Sequence, residues 1–204
     1  KGGGCGAGER GRKMIFSMEV MQEIEDKLGY SFQNKALLKQ AFTHSTYGNI
    51  WGDKDNERME YLGDAVLQLV VTDWKYLNDN RPEGKLSASR QHFVRKEALD
   101  TLIDGLDVYD YLLVSGGKDN LGDKTKSDLF EAIVGAIYLD GGFEKAQQFV
   151  IAHGNLSVGE ETQNYKGALQ EWLQAIGEMP EYSKPIKTGK DHSPMFRSTV
   201  RAMG

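Results

Sequence analysis

Three carboxylates recur at helical spacing within the run "NERMEYLGDAV", residues 56–66. Glu57, Glu60 and Asp64 are three and four residues apart, so on a helix they share one face over two turns. Like charges at this spacing repel one another, and a carboxylate taken out of water without a partner is costly. Asp64 stands between Leu62 and Leu67, in the apolar half of the run. We therefore expect a partner that offsets the cost.

A second run, "SDLFEAIVGA", residues 127–136, repeats the pattern, with Asp128 and Glu131 three residues apart among apolar neighbours. If the two helices pack side by side, Glu60, Asp64, Asp128 and Glu131 converge. Four carboxylates in one pocket stay ionised only if cations neutralise them. Ligand sets made only of oxygen select hard ions such as Mg²⁺ or Mn²⁺, which keep waters or take phosphate oxygens. The spacing therefore predicts a divalent metal site suited to hydrolysis or transfer at phosphate.

An alternative explanation needs no metal, because each carboxylate could instead be solvated or paired with a nearby base. The candidate bases are Arg58, Arg90, Arg95 and Lys126. For Glu57 alone the two interpretations are evenly matched. The recurrence of acidic pairs on two apolar helices favours the metal site for the other four carboxylates.

Two strongly apolar helices are predicted to carry these residues. The first runs from the opening motif to about Leu77, and the second ends at Gly141–Gly142. The first is apolar on most sides, as expected of a buried central helix. Further helices are predicted from Ile15 to a stop at Gly29, within residues 34–44 after an Asn34 cap, over 85–105 (one or two) and over 143–153, with "STYGNIWGDKD" and "YDYLLVSGGKDNLGDK" as loops. The predicted fold class is mainly α.

Composition divides the chain into four segments. Residues 1–13 form a basic, Gly-rich leader, interpreted as disordered or non-native. Residues 14–153 form the helical domain, and residues 154–164 have the composition of a linker. Residues 165–204 predict an amphipathic helix that ends at Gly177, then strands Tyr182–Thr188 and Met195–Met203, which we interpret as the front part of a small α/β domain.

Bulk properties limit the compartment and the partners. The single Cys5 allows neither an internal disulfide nor a cysteine zinc site, so a reducing compartment such as the cytoplasm is expected. No apolar run approaches the roughly 18–20 residues of a membrane span, so no membrane partner is expected. The net charge of −5 does not by itself suggest nucleic-acid binding.

The motifs resemble those of the ribonuclease III family. "NERMEYLGD" is similar to the family signature N-E-R-L-E-F-L-G-D, and departs from it only at Met59 and Tyr61. "DLFEAIVGAIYLDGG", "FTHSTYG" and "PEGKLSASRQHFVRKEAL" resemble three further family segments in the same order. "YKGALQEWLQ", "PEYSKPIKTGKDHSPMF" and "STVRAMG" resemble the start of the double-stranded-RNA-binding domain that follows in bacterial-type members. The resemblance is specific because several motifs occur in order.

The resemblance implies an endoribonuclease that cuts double-stranded RNA, leaves 5′-phosphate and 3′-hydroxyl ends, and processes structured precursors such as ribosomal RNA. It implies an all-helical endonuclease domain that works as a homodimer with Mg²⁺, for which Mn²⁺ may substitute. The implied site residues are the metal ligands Glu60, Asp64, Asp128 and Glu131, the accessory acids Glu57 and Glu83, and Tyr61 at the dimer contact.

Regions of the tail match the two parts of the RNA-binding domain that reach successive minor grooves of RNA. The implied RNA-binding residues are Gln170, Glu171, Lys187, Lys190 and His192. Alternatively, Lys190 and His192 are solvated turn residues that do not contact RNA. The family domain continues with a third strand and a basic helix that this sequence lacks, so we expect the tail to bind RNA weakly or to fold incompletely.

Two competing functions remain on the sequence alone. One is a binding module that keeps the fold without catalysis, but such a relative is expected to lose some carboxylates, and all four are present. The other is a smaller-substrate relative specialised for ribosomal RNA and lacking a tail domain, which the tail argues against. Cleavage of an RNA duplex with and without Mg²⁺ separates the first of these from an endonuclease.

Overall fold

The structure, a computed structural model, describes residues 16–117, 121–154, 156, 169–170, 172–174, 176–184, 186–190 and 193–201. The chain divides into two compact units, residues 1–160 and 161–204. The predicted leader, residues 1–13, lies outside the described residues, as does most of the predicted linker, residues 154–164.

The first unit is built from helices, so the predicted mainly α fold class is confirmed. A 3₁₀ turn, Tyr109–Tyr111, follows the sixth α-helix. The α-helices are α1 Met18–Leu28, α2 Lys35–Ala41, α3 Ser45–Trp51, α4 Glu57–Asn78, α5 Glu83–Val94, α6 Lys96–Leu106, α7 Thr125–Gly141 and α8 Phe143–Gly154. No helix in the described part of the chain is long and apolar enough to cross a membrane.

Local capping explains why the first two predicted helices form where they do. The Ser17 hydroxyl accepts a hydrogen bond from the Val20 amide at the start of α1, and Gly29 ends that helix in the left-handed region at φ 63°. Asn34 caps α2 in the same way, through a bond from the Ala36 amide to its side-chain oxygen. The predicted stop at Gly29 and the predicted Asn34 cap are confirmed, whereas α1 begins three residues later and α2 ends three residues earlier than the predicted helical runs.

The prediction of a loop over "STYGNIWGDKD", residues 45–55, is wrong, because its first seven residues form α3. The His44 imidazole caps this helix by accepting from the Thr46 amide, and Gly52 ends it with φ 72°. Two glycines and several polar residues concealed the helix, since intrinsic propensity is a weak guide in so short a segment. The cap and the buried Tyr47 identify it in the structure.

Helices α4 and α7 form the centre of the first unit. The α7 helix is the more deeply enclosed, with Leu129, Phe130, Ile133 and Val134 fully buried. The expectation that α4 is buried on nearly all sides is wrong. One side of α4 is packed, but its exposed apolar residues include Tyr61, Leu69, Tyr76 and Leu77. These apolar residues of α4 therefore lie on a face that the rest of the first unit does not cover.

The second unit contains two short antiparallel pairs of strands. Strand β1, Glu181–Tyr182, pairs with β4, Val200–Arg201, and β2, Ile186–Lys190, pairs with β3, Ser193–Arg197. The two predicted strands are thus each divided in two. The Ser183 side chain accepts from the Thr199 amide at the break, so side-chain bonds replace part of the ladder there.

The helix predicted before these strands is described at residues 169–170 and 172–174. Its end is the predicted one: the Glu178 amide donates to the Leu173 carbonyl around Gly177, whose φ is 79°.

Candidate metal centre

Two glycines set the distance between α4 and α7. A Cβ atom on Gly63 would lie 1.8 Å from the Glu131 carbonyl oxygen, and a Cβ on Gly135 would lie 2.3 Å from the Met59 carbonyl oxygen. Neither position can accept a side chain without moving a backbone. The glycines therefore permit the two helices to cross in backbone contact, one turn from the carboxylates that each helix carries.

This crossing brings three carboxylates together. Glu60 on α4 and Asp128 and Glu131 on α7 each offer an oxygen, and these oxygens lie within 4.8 Å of one another. All three side chains are half-buried. Three oxygens at this separation can bind one small cation, and their charge and hardness suit Mg²⁺ or Mn²⁺.

Asp64, the fourth predicted ligand, lies beside this group of three but outside it. Its Oδ1 accepts a hydrogen bond of 2.9 Å from the Gln68 amide group, one turn further along α4. Its charge nevertheless acts on both Glu60 and Glu131. The structure thus brings three of the four predicted ligands into one group and holds the fourth next to it.

Burial raises the pKa of each carboxyl in the group, and repulsion by neighbouring members adds to the rise at Glu60 and Glu131. Burial raises the pKa of Glu131 to about 8, and the charges of Asp64, Asp128 and Glu60 act in the same direction. Burial is also the main cause of the raised pKa of Glu60 and of Asp128. Ionising all three groups together is therefore unfavourable without a cation.

The bases that could have neutralised these carboxylates are engaged elsewhere or point elsewhere. Arg90 donates to Thr72, Arg95 lies 4.0 Å from Glu97, and Lys126 pairs with Asp104. Arg58 is exposed and lines a groove with Tyr61. Among the described residues, the three carboxylates form no ion pair. The geometry thus favours a divalent cation over the pairing alternative.

The accessory residues lie outside the group of three. Glu57 is exposed in the first turn of α4, where its charge raises the pKa of Glu60 as a contribution smaller than burial. Glu83 is exposed at the start of α5, and its Oε1 accepts from the Ser87 hydroxyl at 2.8 Å. Tyr61 is 83% exposed on α4. The His44 side chain caps α3.

The predicted RNA-binding residues of the tail are only partly described. Gln170 is half-buried in a helical segment. Lys187 and Lys190 lie on β2, opposite Phe196 and Ser193. Glu171 and His192 lie outside the described residues.

Sequence reasoning missed Gly63 and Gly135 as parts of the site. A signal was available, because an isolated glycine inside an apolar helix costs about 1 kcal/mol relative to alanine and needs a packing reason. Both glycines stand within four residues of a predicted ligand. Spacing alone could not show that they face one another.

Comparisons with known proteins identify the family of the chain. A family model described as Ribonuclease-III-like matches residues 34–154, and one described as a double-stranded RNA binding motif matches residues 165–204. Ribonuclease 3 of Nitratiruptor sp. is 38% identical over 194 residues, covering 90% of this chain and 84% of the relative. Ribonuclease 3 of Wolinella succinogenes is 36% identical, covering 92% and 82%.

Solved structures show the same fold in the first unit. The nuclease domain of ribonuclease III from Campylobacter jejuni, described for flexibility in a region involved in dimer formation, is 34% identical with a TM-score of 0.61. The match covers 66% of this chain and 96% of that domain. Dicer from Giardia matches with a TM-score of 0.52 and 26% identity, over 66% of this chain and 19% of that protein.

Proposed function

The chain belongs to the ribonuclease III family, and from that premise we propose that the α4–α7 crossing is the metal-dependent active site of an endoribonuclease for double-stranded RNA. Its boundaries are proposed to be residues 14–153 for the endonuclease domain and 165–204 for a partial RNA-binding domain, joined by 154–164. The observation that carries the proposal is the group of three half-buried carboxylates, which form no ion pair in the described part of the chain.

The carboxylates have a direct role in this proposal. Glu60, Asp128 and Glu131 hold the cation from two helices whose crossing fixes their spacing. Asp64 joins them by leaving its bond to Gln68, a change within one exposed hydrogen bond. When bound by these residues, Mg²⁺, or Mn²⁺ in its place, would supply the Lewis acidity needed to activate a water toward the scissile phosphorus and to stabilise the leaving 3′-oxygen.

No side chain has to act as nucleophile in this scheme. Attack by water, with departure of the 3′-oxygen, leaves a 5′-phosphate and a 3′-hydroxyl. Glu57 and Glu83 are accessory acids at the edge of the substrate path, outside the group of three. Structured precursors such as ribosomal RNA are the proposed substrates, because they present the duplexes that such a site cuts.

We also propose that two copies of the chain form a homodimer through the exposed side of α4. Tyr61 stands out from this side and lines a groove of about 650 Å³ together with Leu37, Met59, Leu62 and Leu139. An exposed aromatic beside an apolar groove is typical of an interaction surface. Analytical ultracentrifugation of Tyr61→Asp should show a monomer where the unchanged chain is a dimer.

The tail is proposed to contact RNA through Gln170, Glu171, Lys187, Lys190 and His192. The match to the double-stranded RNA binding motif supports this assignment. Contacts to 2′-hydroxyls and phosphates would position a duplex without reading its sequence.

The activity is tested with Glu131→Gln, which keeps the shape of the side chain and removes its charge. Cleavage of a labelled RNA duplex in Mg²⁺ should fall by about 10³-fold or more, because the ligand set loses its most buried member. Glu144→Gln, an exposed acid at the start of α8, is the matched control and should cleave like the unchanged chain. Full activity of Glu131→Gln would overturn the proposed function.

A further inference from the structure

A cavity of about 380 Å³ lies where α5 and α6 meet the end of α8 and the second half of α4. Its volume is near the lower end of the roughly 300–1,000 Å³ that is usual for small-molecule sites. Lys75, in its wall, follows Asp64 by eleven residues on α4. At 1.5 Å of rise per residue, the two positions are about 16 Å apart along the helix axis. The cavity is therefore separate from the candidate metal centre.

Lys75 is an unusual residue for a cavity wall, because it is a lysine on the packed side of the central helix α4. It is only 4% exposed. A buried ammonium group is costly unless anions lie near it. Asp79, one turn later, is one such anion, and the charge of Lys75 contributes to the lowered pKa of Asp79. Arg81 also donates to both oxygens of Asp79, so this carboxylate is shared between two cations. An anion in the cavity would add to the compensation of Lys75.

Further groups able to bind an anion line the same cavity. The Arg95 guanidinium is half-exposed at the rim and lies 4.0 Å from Glu97, a separation longer than a hydrogen bond. The Ser89 hydroxyl and the His92 ring also line it, and neither makes a hydrogen bond within the described part of the chain. Lys75 and Arg95 stand against the single acid Glu97 in the lining, so the walls carry a net positive charge with His92 neutral.

The remaining wall of the cavity is apolar and includes an aromatic ring. Phe93 lies against the backbone at the end of α8, because a Cβ on Gly154 would be 2.5 Å from the Phe93 Cζ atom. Ala98, Leu102 and Leu156 complete this wall, and Leu156 packs against the core. A ring held in this way offers a surface on which a flat heterocycle can stack. The cavity thus combines cationic donors with an aromatic wall.

We propose that this cavity binds a nucleoside monophosphate, with the phosphate between Lys75 and Arg95 and the base against Phe93. A phosphate monoester supplies the anion that the positive walls favour, and Arg and Lys are its usual protein donors. The cavity also adjoins the start of α6, where no side chain caps the helix and first-turn amides can donate to an anion. This ligand site goes beyond the proposed nuclease function and does not depend on it.

The test is titration calorimetry of the full chain with AMP in a chelator, which removes metal as a bridge to phosphate. One AMP should bind per chain with a dissociation constant below about 1 mM. Adenosine and inorganic phosphate should each bind at least about tenfold more weakly, because each lacks one of the two contacts. Lys75→Met and Arg95→Met should each weaken AMP binding about tenfold or more. Lys85→Met, an exposed lysine of α5 outside the lining, is the matched control and should bind AMP within about twofold of the unchanged chain.

Several results would overturn the inference. They are absence of saturable AMP binding, equal affinity for AMP and adenosine, and full AMP affinity in Arg95→Met. Circular dichroism checks that Lys75→Met is folded, and if it is not, the exposed Arg95→Met decides alone. Glu131→Gln should bind AMP like the unchanged chain, since loss of binding there would place the nucleotide at the metal centre. Failure of the proposed function is separate, because it appears as RNA cleavage by Glu131→Gln, whatever AMP does.

Discussion

Two regions of the helical unit bury carboxylates in opposite ways. In the last turn of α1, Glu25 is 2% exposed, and it accepts hydrogen bonds from both the Lys35 ammonium and the Phe32 amide. At the α4–α7 crossing, Glu60, Asp128 and Glu131 are half-buried with no ion pair in the described part of the chain. The protein supplies its own cation where a carboxylate is structural. Where its own cations form no ion pair with the acids, we propose that a divalent cation from solution binds instead.

Asp79, like Glu25, is a buried carboxylate that is paired with a cationic side chain of the protein. It is 3% exposed, and the Arg81 guanidinium donates to both of its oxygens, with Nε 2.9 Å from each. This hydrogen bonding holds the pKa of Asp79 below its usual range, whereas burial raises the pKa of all three carboxyls at the crossing. The direction of the pKa shift thus distinguishes a paired structural acid from an acid in the candidate metal centre.

The largest effect should come from separating the two helices that carry the unpaired acids. Gly63→Ala places a Cβ 1.8 Å from the Glu131 carbonyl oxygen, so the crossing must open. We expect the free energy of unfolding to fall by about 3 kcal/mol, with loss of cleavage. The matched control is Gly84→Ala on α5, where the added Cβ meets nothing within 4 Å and urea unfolding should show equal or higher stability. A Gly63→Ala variant of normal stability would contradict the close crossing.

A smaller effect should follow from removing the cation of the structural region. Lys35→Met leaves Glu25 buried beside a single amide donor, and urea unfolding should show a loss of about 2 kcal/mol at pH 7. Lys145→Met, an exposed lysine on α8, should change stability by less than about 0.5 kcal/mol. If Lys35→Met were as stable as the control, the assignment of Glu25 as a compensated acid would fail.

Removing the ionisable carboxyl of Glu131 from the crossing should raise the free energy of unfolding, whereas Lys35→Met lowers it. Without divalent metal, Glu131→Gln relieves a carboxyl whose pKa burial raises to about 8. We expect a gain of about 1 kcal/mol at pH 7, a value reduced for the solvent screening of a half-exposed group. The same variant should gain no stability when Mg²⁺ is added, unlike the unchanged chain. Destabilisation by Glu131→Gln in a chelator would show that Glu131 is a structural acid like Glu25.

The smallest effect should be a pH dependence of the metal-free protein. Because the folded pKa of Glu131 lies above its ordinary value of 4.5, its contribution to stability is fully present below about pH 4.5 and is lost as pH rises through about 8. Thermal unfolding of the unchanged chain, corrected by subtracting the Glu131→Gln curve, should show this decline. An increase in the difference over the same range would reverse the sign and contradict the account.

The sequence predicts most of the helical frame because its signals there are local. Ser17, Gly29 and Asn34 define helix ends through bonds to neighbouring amides, and the apolar runs of α4 and α7 are long enough to be unambiguous. The acidic pairs were recognisable for the same reason, since their spacing lies within single helices. The short α3 was missed because its N-cap is a histidine, Gly48 lies within it and Gly52 follows it.

The geometry between helices could not be predicted in the same way. Periodicity shows that Glu60 and Asp64 share a face, but not that Asp64 turns to Gln68 while Glu60 meets Glu131. The backbone contact at Gly63 and Gly135 depends on how two helices cross, which no single-helix pattern contains. The sequence also could not show that one side of α4 is exposed, because apolar residues occur both in a buried core and on an apolar surface.

The most direct test of the central claim is binding of Mn²⁺ to the protein without RNA, followed by electron paramagnetic resonance of the free ion. The unchanged chain should bind Mn²⁺, Glu131→Gln should bind at least about tenfold more weakly, and Glu144→Gln should match the unchanged chain. Mg²⁺ should displace the bound Mn²⁺. Equal affinity of Glu131→Gln and the unchanged chain would contradict the claim that the α4–α7 crossing is completed by a divalent cation.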